Sequence, residues 1–181
     1  VPVSLPLGYL LHRDFTITPT SGDCDRSNPP LHFSETVTGS HDPNEKDVEP
    51  AYNIPQNDSV LTYTIHFQNT GTDSTHFIII TDSLSANLNP ASVRNLASSS
   101  PYSKFTVSGK GILTWTFNPL RLVDSITNPQ GSKGFITFQV TKKADLPIGT
   151  SISNTAYVYF DYNDAVVTNT VTDTISRPTY I

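Results

Sequence analysis

The sequence is poor in the residues that staple small domains and carry out most chemistry. Methionine is absent, and there is one tryptophan and one cysteine in 181 residues. A single cysteine, Cys24, excludes an internal disulfide, and no Cys/His spacing of a zinc site is present. Cys24 lies in the polar run Ser21-Gly22-Asp23-Cys24-Asp25-Arg26 and reads as a small loop residue. Charged residues make up only 15%, and the 11 Lys and Arg are scattered, with Lys142-Lys143 the one basic pair. Without a basic stripe, nucleic acid is excluded as a partner. The apolar runs are too short to span a bilayer, and no Lys/Arg-led signal segment opens the chain. Starting at Val1 without any Met, the sequence is expected to be a processed or excised piece.

What is abundant is Thr, Ser and Asn set between apolar residues at a period of two, the signature of half-buried strands. Leu61, Tyr63, Ile65 and Phe67 alternate with Thr62, Thr64, His66 and Gln68. Leu113, Trp115 and Phe117 repeat the pattern, as do Ile136, Phe138 and Val140. Ile152, Asn154, Ala156, Val158 and Phe160 do so again, and Phe105–Val107 and Val166–Ile175 add further strands. Phe77-Ile78-Ile79-Ile80 is continuous and predicts a strand covered on both faces. Ser108-Gly109-Lys110-Gly111 predicts a tight hairpin, and Asn128–Gly131 and Leu146–Gly149 are further breaks. Asn89 to Ala97 is the best helical candidate, a short turn with Pro90 at its first position. About seven strands with Gly/Pro/Asn turns describe an all-β, immunoglobulin-like two-sheet β-sandwich over residues 58–176, with Trp115 at its centre.

Residues 1–38 do not fit inside that sandwich and form an extra N-terminal strand segment. Phe15–Thr18 and His32–Val37 read as strands, and 39–57 as an acidic Asp-Pro-Asn linker, with 177–181 a C-terminal tail. Two origins for the segment stand open. It is the tail of a preceding domain, or Val1, Val3, Leu5, Leu7, Tyr9 and Leu11 form an assembly strand donated to another copy.

From Gly39-Ser40-His41-Asp42-Pro43-Asn44-Glu45-Lys46 onward the sequence resembles a conserved-repeat β-sandwich domain of unknown function from secreted and cell-surface proteins of Bacteroidota. The likeness continues through Leu61–Thr72, Leu146–Thr150, Asn154-Thr155-Ala156, Tyr159–Asn163 and Val167–Thr170. His41 stands where that family usually has an aromatic, and Glu45 where it usually has Asp. The resemblance implies an extracellular location, export by the type IX secretion system, and a structural or adhesive role without catalysis. Such proteins also carry O-glycans at Asp-Ser/Thr followed by an aliphatic residue or Thr. On that likeness Ser59, Ser74, Ser83, Ser125 and Thr174 are candidate glycosylation sites.

Four constellations invite chemistry. Asp42, Asn44, Glu45 and Asp47 cluster in one loop, and Asp161, Asn163 and Asp164 in another. Hard oxygens at such spacing suit Ca²⁺, the one ion the sequence suggests; the alternative is an Asx turn that holds the loop by side chain-to-backbone bonds. Tyr157 and Tyr159 share the face opposite Val158 and Phe160 and offer a stacking surface for a polysaccharide or a partner. Paired carboxylates occur, but the five His are dispersed and no nucleophile, metalloprotease or phosphate-loop motif is present, so no catalytic residue is assigned. The expected function is a structural module of a surface assembly, a filament subunit or a stalk domain. Its partners would be copies of itself or adjacent domains of the same protein. The alternative is a carbohydrate-binding or adhesive module.

Overall fold

The structure, a computed structural model, describes residues 10–15, 31–36 and 43–178. The chain divides into two compact units, Val1–His41 and Asp42–Ile181. In the first unit β1 (Leu10–Phe15) pairs antiparallel with β2 (Leu31–Thr36), Leu10 opposite Thr36 and Phe15 opposite Leu31. The first of these strands therefore lies upstream of the expected Phe15–Thr18, of which Thr16 to Thr18 fall outside the described residues.

The second unit is the sandwich. Its strands are β3 (Lys46–Glu49), β4 (Asn53–Pro55), β5 (Val60–Gln68), β6 (Ile78–Ser83), β7 (Leu88–Ser98), β8 (Lys104–Val107) and β9 (Ile112–Phe117). They are followed by β10 (Lys133–Lys142), β11 (Ser151–Asn154), β12 (Ala156–Phe160), β13 (Val166–Val167) and β14 (Val171–Ser176). One sheet runs β3-β5-β10-β7, and another β13-β12-β6-β9-β8. A third, β11-β14-β4, continues the second, because β11 and β12 are one run of chain broken at Thr155. Apart from β4, which lies parallel to β14, every neighbouring pair in these sheets is antiparallel.

The period-two rows meet between the layers as the sequence requires. Leu61, Tyr63, Ile65, Ile136 and Phe138 from one side face Ile80, Leu113, Trp115, Ile152, Ala156 and Val158 from the other, all fully buried. Trp115 stands at the centre, 5.1 Å from both the Phe105 and Phe138 rings, with its indole N–H donated to Asn95 at 2.9 Å. Ile79, the outward member of the continuous run, is half-buried on a strand flanked by β12 and β9. The Ser108–Gly111 hairpin closes with Gly111 at φ 79°, the left-handed conformation that glycine adopts without steric cost.

Two expectations are corrected. Asn89 to Ala97 is not a helix but most of β7, an edge strand paired, among the described residues, only with β10. Pro90 is tolerated there because an edge strand does not require every N–H, and two register shifts bend the strand. The segment 39–57 is not a linker throughout, since β3 and β4 are built from it. Its period was hidden because an inward position, 46, carries a lysine.

Gly134, on β10, sits directly opposite Phe67, whose ring covers it. A Cβ at this position would lie 2.3 Å from that ring. Gly134→Ala is expected to cost about 1–3 kcal/mol of unfolding free energy by strain. Gly109→Ala, in open space, should stay within about 0.5 kcal/mol. Denaturant midpoints of the two variants check the difference.

Candidate functional site

Strand β3 alternates in the usual way, Lys46 and Val48 inward, Asp47 and Glu49 outward. The inward position 46 therefore delivers an amine between the sheets, where Lys46 is completely buried. An unpaired charge there would be prohibitively unstable. Asp82, on β6 of the facing sheet and equally buried, takes the amine through a direct Nζ–Oδ2 contact. The same nitrogen lies 4.7 Å from the Tyr63 ring centroid and 5.4 Å from that of Phe138, positions that favour a cation. Burial lowers the Lys46 pKa, and the Asp82 carboxylate opposes that shift.

The lysine backbone is clamped as well. Its N–H donates to Asn169 Oδ1 at 2.7 Å, and Asn169 Nδ2 donates back to the Lys46 carbonyl at 2.9 Å. Asn169 belongs to the turn between β13 and β14, so the last hairpin fixes the first strand of the sandwich.

Further polar groups share this chamber. Asp82 is in register with Ala156 at the start of β12, two residues past the buried Asn154. Asn154 and the buried Asp173 lie on the paired strands β11 and β14. Asp82 Oδ1, the Tyr63 hydroxyl, both Asn154 side-chain atoms and both Asp173 oxygens are sealed from solvent, without a hydrogen bond of normal geometry among the described residues. Burial pushes the Tyr63 hydroxyl up strongly, Asp173 and Asp82 add to the rise, and the neighbouring Asn154 carboxamide offsets part of it. Burial also raises the Asp173 carboxyl, against a weaker pull from the Tyr52 backbone. The arrangement is a chamber sealed from solvent that holds one amine, two carboxyls, a carboxamide and a phenol.

The residues singled out from sequence lie elsewhere. Asp42 is outside the described residues. Asn44 is buried, and Glu45 exchanges backbone hydrogen bonds with His66 at 3.1 and 2.7 Å, extending the β3–β5 ladder. Asp47 points outward, 3.4 Å from His66 Nε2. Asp161, at φ 51°, accepts the N–H groups of His76 and Phe77 at 2.8 and 3.0 Å. Asn163 donates to the Phe160 carbonyl, and Asp164 is exposed. Of these side chains, Asp161 and Asn163 bond to backbone groups and Asp47 faces a side chain. Among the described residues no three His, Cys, Asp or Glu gather closely enough to hold a metal ion.

Tyr157 is 38% exposed on the outer face of β12, with Tyr159 half-buried beside it. Ser59 and Ser83 are exposed, while Ser74, Ser125 and Thr174 are half-buried, Thr174 inside a strand paired on both edges. Of the assembly-strand residues, Val1, Val3, Leu5, Leu7 and Tyr9 lie outside the described residues, and Leu11 pairs with Glu35 in the first unit.

Sequence reasoning missed Lys46, Asp82, Asn154 and Asp173. Asn154 was visible as the one polar member of an otherwise apolar inward row. Asp82 and Asp173 were hidden inside Asp-Ser-Leu and Asp-Thr-Ile triplets, which draw attention to the hydroxyl instead.

Residues 42–174 match the sequence profile of a domain of unknown function, DUF7619. No curated protein matches the chain in sequence. Among solved structures, the N-terminal domain of the Streptococcus gordonii adhesin Sgo0707 superposes with a TM-score of 0.56 at 16% identity, over 83% of this chain and 36% of that one. The collagen-binding domain of a Staphylococcus aureus adhesin gives 0.45 at 13% identity, over 77% of this chain and 100% of that one. The major pilin subunit BcpA of Bacillus cereus gives 0.46 at 20% identity, over 75% of this chain and 40% of that one. The chain thus spans about a third of the adhesin chain with which it superposes best of these three.

The raised Asp173 carboxyl makes a signed prediction. As pH climbs from the ordinary carboxylate range, the unfolded chain releases this proton before the folded one does, so the group lowers stability progressively until its folded pKa is passed. Asp173→Asn removes that dependence. The variant should be more stable than the parent at neutral pH, with the gap closing toward pH values below the unfolded carboxylate pKa. Unfolding free energies measured across that range test it, and a gap independent of pH would refute the assignment.

Proposed function

We propose that this chain, which belongs to the DUF7619 domain family, is a non-catalytic structural module of an extracellular surface assembly. The observation that carries the reading is where the chemistry sits. The amine and carboxyls of Lys46, Asp82 and Asp173 are sealed between the sheets with no exposed surface, where they can brace the fold but cannot meet a substrate. The fold shared with an adhesin's N-terminal domain supports the same direction.

Within that role the chain is either the subunit of a filament built by β-strand donation or a stalk domain of a larger secreted protein. In the first case the apolar run from Val1 to Leu11 supplies the connecting strand. The partners are then copies of the chain; in the second case they are neighbouring domains of the same polypeptide. Export by the type IX system and O-glycosylation belong to the same proposal. A second reading, a carbohydrate-binding or adhesive module, is favoured by the outward Tyr157.

Native material from the cell surface tests the choice. Filaments under the electron microscope that fail to form when residues 1–11 are deleted are the expected result for donation. Monomers of unchanged behaviour after that deletion would refute it and leave the stalk. Binding to a glycan array that is lost in Tyr157→Ala would move the function to the adhesive reading. Recovery of the chain solely from the cell interior would overturn the surface role itself.

A further inference from the structure

The Lys46–Asp82 contact is stranger than an ordinary buried ion pair. Among the described residues the amine hydrogen-bonds to Asp82 alone, although an ammonium carries three donors. Among the same residues the second oxygen of Asp82 finds no hydrogen-bond partner. Two aromatic rings cover the nitrogen at 4.7 and 5.4 Å, and both side chains are fully buried. A pair kept for charge alone would be better served by more donors and acceptors around it. The same geometry is well suited to a different end. The nucleophile and the acyl carbon are held together in an enclosure sealed from solvent, and intramolecular placement of this kind is equivalent to reactant concentrations of roughly 10⁵–10⁸ M.

We propose that Lys46 and Asp82 condense within the folded chain to form an intramolecular amide crosslink between Nζ and the side-chain carboxyl carbon. The reactants are the uncharged amine and the protonated acid, which differ from the ion pair only by one proton moved along their shared hydrogen bond. Burial favours the uncharged amine. The Nζ–Cγ bond forms, the Cγ–O bond to the leaving hydroxyl breaks, and that hydroxyl departs with one amine proton as water. No electrons change hands and no co-reactant is needed. The Asp173 carboxyl, held toward its protonated form by burial, is the proton carrier available in the same chamber. Excluding water from the enclosure then protects the product from hydrolysis.

The crosslink replaces two buried charges by one neutral amide. It ties the four-residue edge strand β3 to β6 of the facing sheet. Such a tie lies across the sheets, where no backbone ladder can hold.

Mass spectrometry of the denatured full chain tests this directly, and the parent protein alone suffices. The expected mass is below the sequence mass by one water. Trypsin should fail to cleave after Lys46, and one branched peptide should contain both Lys46 and Asp82. Lys46→Arg should restore the full sequence mass and cleavage at position 46, as should Asp82→Ala, whether or not either variant folds. A parent chain at its full mass, cleaved normally at Lys46, overturns the proposal. A mass lower by one ammonia, with Lys46 joined to Asn154, overturns the assignment to Asp82 and places the bond on the carboxamide instead.

Discussion

Placing a lysine amine between two β-sheets costs several kcal/mol unless a partner meets it there with good geometry. The sandwich unit is organised so that Asp82 does. Lys46 enters from the edge of one sheet and Asp82 from within the other, 36 residues further along the chain. Neither position works without the other, since an uncompensated charge of either sign would open the layers to water. The stacked rings of Tyr63 and Phe138, 5.4 Å apart, close the chamber on the side of the first sheet. Through Phe138 they join the aromatic row that continues to Trp115 and Phe105.

Much of the surrounding architecture follows from holding that amine in place. Strand β3 is only four residues long and, among the described residues, pairs on one edge alone, so its backbone ladder is a weak anchor. Asn169 compensates by bonding both backbone groups of Lys46. Thr168 steadies the same turn, accepting the Ala156 N–H at 3.1 Å and donating to the Asn169 carbonyl at 2.9 Å. The first strand of the sandwich is thereby fixed by the last hairpin, and the two ends of the domain are closed onto each other. A domain closed in this way resists fraying from its N-terminal strand.

The outer surface follows simpler rules. In the second acidic cluster Asp161 accepts the N–H groups of His76 and Phe77, and Asn163 donates its side-chain amide to the Phe160 carbonyl. Asx turns and hard-oxygen loops draw on the same residue types. Tyr157, Ser59 and Ser83 are exposed on faces that the core does not need.

Alternation between apolar and polar residues was enough to determine the all-β class, the strands around Tyr63, Trp115, Phe138 and Val158, and the burial of Trp115, while the Ser108–Gly111 turn residues determined the hairpin there. Those features are local: each strand reports its own two faces, and the hydrophobic effect selects which one turns inward. The resemblance beginning at Gly39 also brought in Lys46, Asn154 and Asn169 as parts of its motifs, without a reason for them. Only the tertiary structure supplied it. A polar residue at an inward position reads as a break in the pattern until its partner on another strand is known. Register and sheet stacking put Asp82 opposite Lys46, and neither is written in the spacing of either residue. The same holds for Pro90, which looks like a helix start by itself and is acceptable in β7 because that strand lies on an edge. What the sequence determined by itself was the set of faces; which charges the core would enclose was decided when two sheets closed over them.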